Sequence, residues 1–426
     1  GPGFPDLRPQ IPFERQIMVL GTTPCGLSYA LRKAGYEAGY CALSIRCGTR
    51  DEEGFHGGIA HFTEHTIFRG TKTMSASRIN SRLDSLGGDL NAYTTKEEIV
   101  LHATVLKEDL PKAVALLLEL ASSPTFPDDE IETERGVVLD EIISSKDSPS
   151  DDVFDRFEEL LFGKHPLGRP ILGTSASVRR ITPEELRRFV GKFFLPERMV
   201  LTVCSPVEEE KMEKEVRKLI GRYFGGNAVP DTVRPVLSRP EGIYFDKVVD
   251  KRNHEVNAVI GTTGPSLYDG KDRIAAALLS NILGGPASNS LLGSVLREKN
   301  GWVYGVDCSY TQYADTGVVA IAFGCDRENL EKCLGSTRRI LDSLSDKPLS
   351  ERKLKAARNQ FLGQMAIASE LGEARCLSMG KGLLSFGRIA SFEETVRDIE
   401  EVSSEDLRAL AARLFPPSRM SRLIYL

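Results

Sequence analysis

Residues 181–203, ITPEELRRFVGKFFLPERMVLTV, align without a gap to residues 402–424, VSSEDLRALAARLFPPSRMSRLI. Leu186 matches Leu407, Phe194 matches Phe415, Pro196 matches Pro417, Arg198 matches Arg419 and Met199 matches Met420. A chain that carries one helix–Pro–strand unit twice is constrained to a duplicated architecture. Thr182 predicts an N-cap, with Pro183 at the first helical position and Glu185 closing a capping box, and Ser403 with Asp406 repeats the pattern. Earlier in each half the order is shared too: a strand pair, a helix near Leu110 or Leu330, then a longer helix. Between the halves, FGGNAVPDTVRPVLSRPEG (224–242) is rich in Gly and Pro and has no apolar period, which reads as a linker. The prediction is an α+β fold of two homologous domains, 1–224 and 243–426, joined by a linker at 225–242. Each should be a mainly antiparallel sheet with helices packed on one face.

At 426 residues the chain can bury two cores of this size. A net charge of -5 offers no basic footprint for nucleic acid. The longest apolar runs, such as AVALLL at 113–118, are too short to span a bilayer. No signal-peptide pattern opens the sequence. The eight cysteines include no CxxC pair and sit mostly in apolar strand contexts, which predicts buried free thiols in a reducing compartment. The cytoplasm is therefore the expected location; a mitochondrial matrix or periplasmic one needs a targeting segment that has been removed.

The chemistry concentrates in GIAHFTEHTIFRGT, 58–71. Gly57-Gly58 opens a helix, Ile59, Phe62 and Phe68 give it apolar contacts, and Gly70 ends it. Residues four apart share a helix face, so His61 and His65 can present their rings to one ion. Hydrolytic zinc typically takes three protein ligands and leaves a fourth place for water, whose proton a neighbouring carboxylate such as Glu64 can accept. The order HxxEH is the inverse of HExxH. Two structural histidines on a half-buried face are the alternative, and a third ligand distinguishes the two. Candidates lie in FPDDEIETERGVVLDEIISS, 126–145, where Pro127 starts a helix with the apolar stripe Ile131, Val138 and Ile142. Glu134 and Glu141 fall on or beside that stripe, where carboxylates are costly unless paired. Metal ligation by one and a supporting role for the other would resolve this; a solvated acidic edge is the other reading. The second half offers one histidine, His254, and no HxxEH, so only the first half can supply a site. His56 reads as a loop residue, His102 as a satisfied strand histidine and His165 as a turn residue.

GIAHFTEHTIFRGT, LGGDLNAYTTKEE and ETERGVVLDEI together resemble the pitrilysin-type zinc peptidases, the inverzincins. The resemblance is to their short branch, which includes mitochondrial processing peptidase and its bacterial relatives, and it covers essentially the whole chain. The family pattern is HxxEH with a glutamate ligand about 76 residues beyond the second histidine, and Glu141 lies 76 after His65. The resemblance implies one Zn2+ per chain held by His61, His65 and Glu141, with Glu64 as general base and Glu134 orienting a ligand or water. NAYT at 91–94 matches the family's substrate-binding edge strand, implying roles for Asn91, Ala92 and Tyr93. In the second half, LGGPASNSLLGSVLREKNGWVYGV (283–306) resembles the segment bearing the family's Arg–Tyr pair, here Arg297 and Tyr304. Thr63 and Thr66 stand where relatives usually have Leu and Met. GGPASNS at 284–290 is not the long glycine-rich loop of the non-catalytic processing-peptidase subunit.

Longer members of that family fuse four such domains into a clamshell; two domains make half of one. The resemblance therefore implies a homodimer enclosing a chamber for extended peptides, each site taking zinc from one chain and the Arg–Tyr pair from the other. A heterodimer with a related subunit is the alternative assembly, and a non-catalytic scaffold or core subunit on the same fold is the alternative function. A metal-dependent hydrolase of another substrate class is the third, disfavoured by the edge-strand segment.

Overall fold

The computed structural model describes residues 18–35, 37–228 and 239–426, so most of the expected linker, 229–238, lies outside the described residues. Two sheets of the same plan follow one another along the chain. The first draws on β1 (Met18–Thr22), β2 (Ser28–Lys33), β3 (Ala38–Ile45), β4 (Asp89–Thr94), β5 (Ile99–Leu106) and β6 (Met199–Ser205), in the order β1-β2-β6-β3-β5-β4. The second draws on β7 (Asp246–Val249), β8 (Val256–Gly264), β9 (Val303–Gln312), β10 (Gly317–Cys325) and β11 (Ser421–Tyr425), in the order β7-β11-β8-β10-β9. Apart from β1 the two orders superpose strand for strand, including the one parallel pair in each, β2 with β6 and β7 with β11. β4 and β9 hold equivalent outer edges.

The first-half helices are α1 (Ile59–Thr66), α2 (Ala76–Leu86), α3 (Leu110–Ser122), α4 (Asp128–Lys146), α5 (Pro149–Phe162), α6 (Ser175–Arg180), α7 (Pro183–Phe193) and α8 (Glu209–Tyr223). The second half has α9 (Gly270–Gly284), α10 (Leu330–Asp346), α11 (Glu351–Glu370), α12 (Gly372–Phe386), α13 (Phe392–Glu400) and α14 (Ser404–Leu414). The repeated unit is α7–β6 and α14–β11. Ser403 and Asp406 cap α14 reciprocally, as expected. The box at α7 is only half made: Thr182 accepts from Glu185 N, but the Glu185 carboxylate turns to His56, accepting from its backbone N at 2.7 Å and pairing with Nδ1 at 2.8 Å. His56 is a loop residue with a buried partner.

In each half one sheet face packs on that half's own helices. Cys41, Leu43 and Ile45 of β3 enter the first core, and Val256, Ala258 and Ile260 of β8 enter the second. The opposite face of each sheet is covered by one helix from the other half, a feature beyond the expected plan. α12 lays Cys376, Met379, Leu383 and Leu384 on Ala30, Ala42, Val100, Val200 and Cys204 of the first sheet. α5 lays Val153, Phe157 and Leu161 on Val259, Val318, Leu423 and Tyr425 of the second. Burial on both faces explains why β6 is buried along its length and reads as a continuous apolar run. Close approach requires glycine: a Cβ on Gly380 would stand 2.8 Å from Ser44 Oγ. Each large apolar side chain so buried contributes about 1.5–3 kcal/mol.

The turn after β9 is clasped by the turn after β4 and by the 3-10 turn Thr49–Asp51 that follows β3. Arg50 makes a two-pronged pair with Asp315, one arm at 2.7 Å, both side chains almost fully buried. Glu97 lies 3.6 Å from the same guanidinium and accepts from Ala314 N at 3.0 Å. Tyr313 reaches the buried Glu158 carboxylate at 3.1 Å. All eight cysteines are buried and free, as expected. Among the described residues no helix is long and apolar enough to cross a membrane.

Candidate metal centre

α1 is a short helix that starts at Gly58 with positive φ (92°) and no side chain of its own as cap. The cap comes from six residues upstream: Glu52, 1% exposed, accepts from Gly58 N at 3.2 Å and from Ala60 N at 2.9 Å. Sequence reasoning missed this residue, because a buried glutamate in a loop leaves no periodic signal. Burial pushes its carboxyl up to about 8, with the Ala60 and Gly58 donors and the more distant Arg169 and Lys96 pulling the other way. An unfolded glutamate titrates near 4.3. Its folded pKa is raised, so its stabilising contribution is complete below about pH 4.3 and is lost as pH rises through about 8. The protein should therefore lose stability from about pH 5 to about pH 8 more steeply than its Glu52→Gln variant. Urea midpoints across that range check this, and parallel curves would contradict it.

α1 packs against α4, β4, β5 and α7, all from the first half. His61 and Glu64 are buried and His65 partly so. One turn apart, the histidine rings meet with Nε2 atoms 3.1 Å apart. α4 brings Glu141 to both: Oε1 lies 3.5 Å from His61 Nε2 and Oε2 3.3 Å from His65 Nε2. Two turns earlier on the same helix, Glu134 sets Oε2 at 3.2 Å from His65 Nδ1. Glu64 Oε2 stands 4.0 Å from His65 Nε2. Burial raises the Glu64 carboxyl, against the lowering influence of His65 and His61. Burial disfavours a charged His65, but Glu134 and Glu141 outweigh it and raise the ring to about 10. Hydrogen bonds from His61 and His65 hold Glu141 far below the usual carboxylate range. A metal entering this cluster must displace the proton that these carboxylates hold on His65.

The donor set fits a tetrahedral metal. An ion with bonds of about 2.0–2.1 Å to N and O sets its donors about 3.3–3.4 Å apart; the two imidazole Nε2 atoms stand 3.1 Å apart, and Glu141 offers one oxygen 3.5 Å from His61 and its other 3.3 Å from His65. His61, His65 and Glu141 also form the group of potential ligand atoms found within 4.8 Å of one another among the described residues. A carboxylate on the far nitrogen of a ligating histidine, as Glu134 is on His65, is the usual outer partner in such centres.

The expected substrate residues fall on β4, whose outer side is the free edge of the sheet. Leu90 and Ala92 pack toward the helix side that carries α1, and Tyr93 packs on the opposite face against His102. Strand alternation turns exposed Asn91 to that opposite face as well. His102 is satisfied, its Nδ1 3.3 Å from Glu373 of α12. His165 accepts from Leu167 N through Nδ1. Arg297 and Tyr304 are not brought to the cluster. Arg297 lies in the π-helix Gly293–Lys299 and contacts Glu298, and Tyr304, 64% exposed at the start of β9, donates to Asp326 at 2.5 Å.

Fold and site thus define a class: a duplicated α+β chain in which, among the described residues, two histidines and one carboxylate converge as a candidate metal site. Residues 30–175 match the model of the insulinase family (peptidase family M16), and residues 180–361 match the M16 inactive domain. The chain is 32% identical over 370 residues to an uncharacterized zinc protease of Mycobacterium tuberculosis, spanning 87% of this chain and 84% of that protein. It is 30% identical over 373 residues to an uncharacterized zinc protease of Bacillus subtilis, spanning 87% and 89%. Among solved structures, a protease from Helicobacter pylori has the same fold at 20% identity, with a TM-score of 0.86 over 96% of this chain and all of the other. The chain belongs to the M16 (insulinase) peptidase family.

Proposed function

We propose that the chain is a zinc-dependent endopeptidase acting on extended peptides or unfolded segments. The observation that carries this is the convergence of His61, His65 and Glu141, with one potential ligand atom of each within 4.8 Å of the others and the buried Glu64 carboxylate beside them. These three residues would hold one zinc per chain. Bound there, zinc supplies Lewis acidity, polarising a peptide carbonyl and bringing the pKa of a water toward neutrality. Glu64 takes the proton of the attacking water and hands it to the departing amine. Glu134 keeps the His65 ring aligned.

An extended substrate adds to β4 as a further strand, main-chain bonds at Asn91, Ala92 and Tyr93 giving affinity with little demand on sequence. Tyr304 and Arg297 serve the site of a second copy, the tyrosine hydroxyl donating to the developing oxyanion and the guanidinium holding substrate backbone. Their contacts within this chain, Arg297 with Glu298 and Tyr304 with Asp326, lead away from the cluster, which supports a homodimeric chamber, with a heterodimer as the alternative. The division into domains 1–224 and 243–426 is supported by each sheet drawing all its strands from one half. Buried free thiols support a reducing compartment such as the cytoplasm.

The test is hydrolysis of a mixed quenched peptide pool by the purified protein, before and after chelation and again with zinc restored. Turnover should vanish and return with the metal. A zinc-loaded protein that cleaves nothing would favour the scaffold reading, and sedimentation showing a monomer at micromolar concentration would contradict the chamber.

A further inference from the structure

Arg69 ends the 3-10 turn Ile67–Arg69 that continues α1, one turn beyond His65. The two residues after it are tied to the segment that leads into α4. Thr125 N donates to Gly70 O at 3.1 Å, and Thr71 bridges Pro124. Gly70 permits this approach, since a Cβ there would come within 3.1 Å of Pro127 Cγ. From this anchor the guanidinium reaches two carboxylates on one face of α4. Nε and Nη2 both donate to Glu130 Oε2, Nε at 2.9 Å, and Nε also stands 3.6 Å from Glu134 Oε1. The other oxygen of Glu134, Oε2, is the one beside His65 Nδ1. A single carboxylate therefore links a guanidinium to the imidazole that faces the candidate metal. Arg69 and Glu134 are both largely buried, at 23% and 13% side-chain exposure.

Glu130, Glu134 and Glu141 crowd one side of α4, where like charges at helical spacing repel. A carboxylate so close to a metal centre can either orient a ligand or swing in and bind the ion itself. Which it does depends on what holds its second oxygen. We infer that Arg69 is a positioning residue of the metal centre: it fixes Glu134 against His65 Nδ1, so that the ring keeps its proton on Nδ1 and presents Nε2 to the ion. It touches neither metal nor substrate, and the inference rests on the zinc reading above. An arginine suits this better than a lysine, because its fork holds Glu130 with two N–H groups while the same guanidinium charge faces Glu134.

The test compares the full-length protein with Arg69→Met, Arg69→Gln, Arg69→Lys and Glu130→Gln. Zinc affinity is measured by competition with a chromophoric chelator. The ring nitrogens are followed by 15N NMR in the zinc-loaded proteins, with circular dichroism melts as a check on folding. Loss of an outer partner weakens metal binding by roughly 10–100-fold, and that is the expected loss in both removal variants. Arg69→Lys should recover part of it, and Glu130→Gln should stay within about threefold of the parent, with His65 still metallated at Nε2 and protonated at Nδ1. Two results would overturn the inference: folded removal variants that match the parent, or a Glu130→Gln loss as large as theirs, which would make Arg69 only a stitch between α1 and α4. Should Arg69→Met not fold, Arg69→Gln carries the same comparison, and if neither folds Arg69 is structural and the inference fails. A parent that binds no zinc fails the zinc reading itself, whereas a zinc-binding parent with unaffected variants fails only this inference.

Discussion

Glu64→Gln should abolish peptide hydrolysis while leaving zinc in place. The substitution preserves shape and removes the group that accepts and returns a proton, a contribution typically worth about 10²–10⁴ in rate. Because Glu64 lies 4.0 Å from His65 Nε2 and is not among the three clustered ligand atoms, metal content should not change. The loss should appear in kcat, with KM near the parent value, since peptide binding is assigned to the β4 edge. A variant that cleaves at more than a tenth of the parent rate would remove Glu64 from the reaction. A variant that loses zinc as well would make it a ligand.

Asp315→Ala should be the most damaging single change outside the metal centre. Arg50 and Asp315 form a two-pronged pair with side chains only 6% and 5% exposed, where the 3-10 turn after β3 meets the turn after β9. Removing one partner of such a pair strands a buried charge and costs about 3–5 kcal/mol. Glu97, 3.6 Å from the same guanidinium, remains as a weaker partner and places the expectation near the lower figure. The cleanest comparison is the double variant Arg50→Met with Asp315→Leu, which removes both charges and should recover most of the loss. Urea unfolding of the three proteins decides it. A loss below about 1 kcal/mol for Asp315→Ala would mean that water reaches the clasp.

The duplication was readable because the α7–β6 unit and its copy at α14–β11 kept both their capping residues and the Pro that ends each helix. The candidate ligands were readable because chemistry favours fixed helical spacings: His61 and His65 lie four residues apart on one helix, and Glu141 lies seven after Glu134, its proposed supporting carboxylate, on another. What stayed hidden depends on contacts between distant parts of the chain. The apolar stripes of α5 and α12 say that each helix packs on something, but not that each lies on the sheet of the opposite half. Arg50 and Asp315 are 265 residues apart and sit in a 3-10 turn and a hairpin turn, where no period marks a partner. The Glu185 carboxylate could satisfy either its own helix cap or His56, and only the packed structure brings His56 near enough to take it. Glu52 was invisible for the same reason, since the two N–H groups it caps belong to a helix that begins with glycine.

The central assignment, that His61, His65 and Glu141 form a zinc site, is tested most directly by metal analysis. The purified protein and its Glu141→Gln variant would be dialysed against trace zinc and their metal content measured by mass spectrometry. One zinc per chain in the parent and almost none in the variant is the expected result. A parent without stoichiometric zinc, or a variant that keeps it, would contradict the assignment.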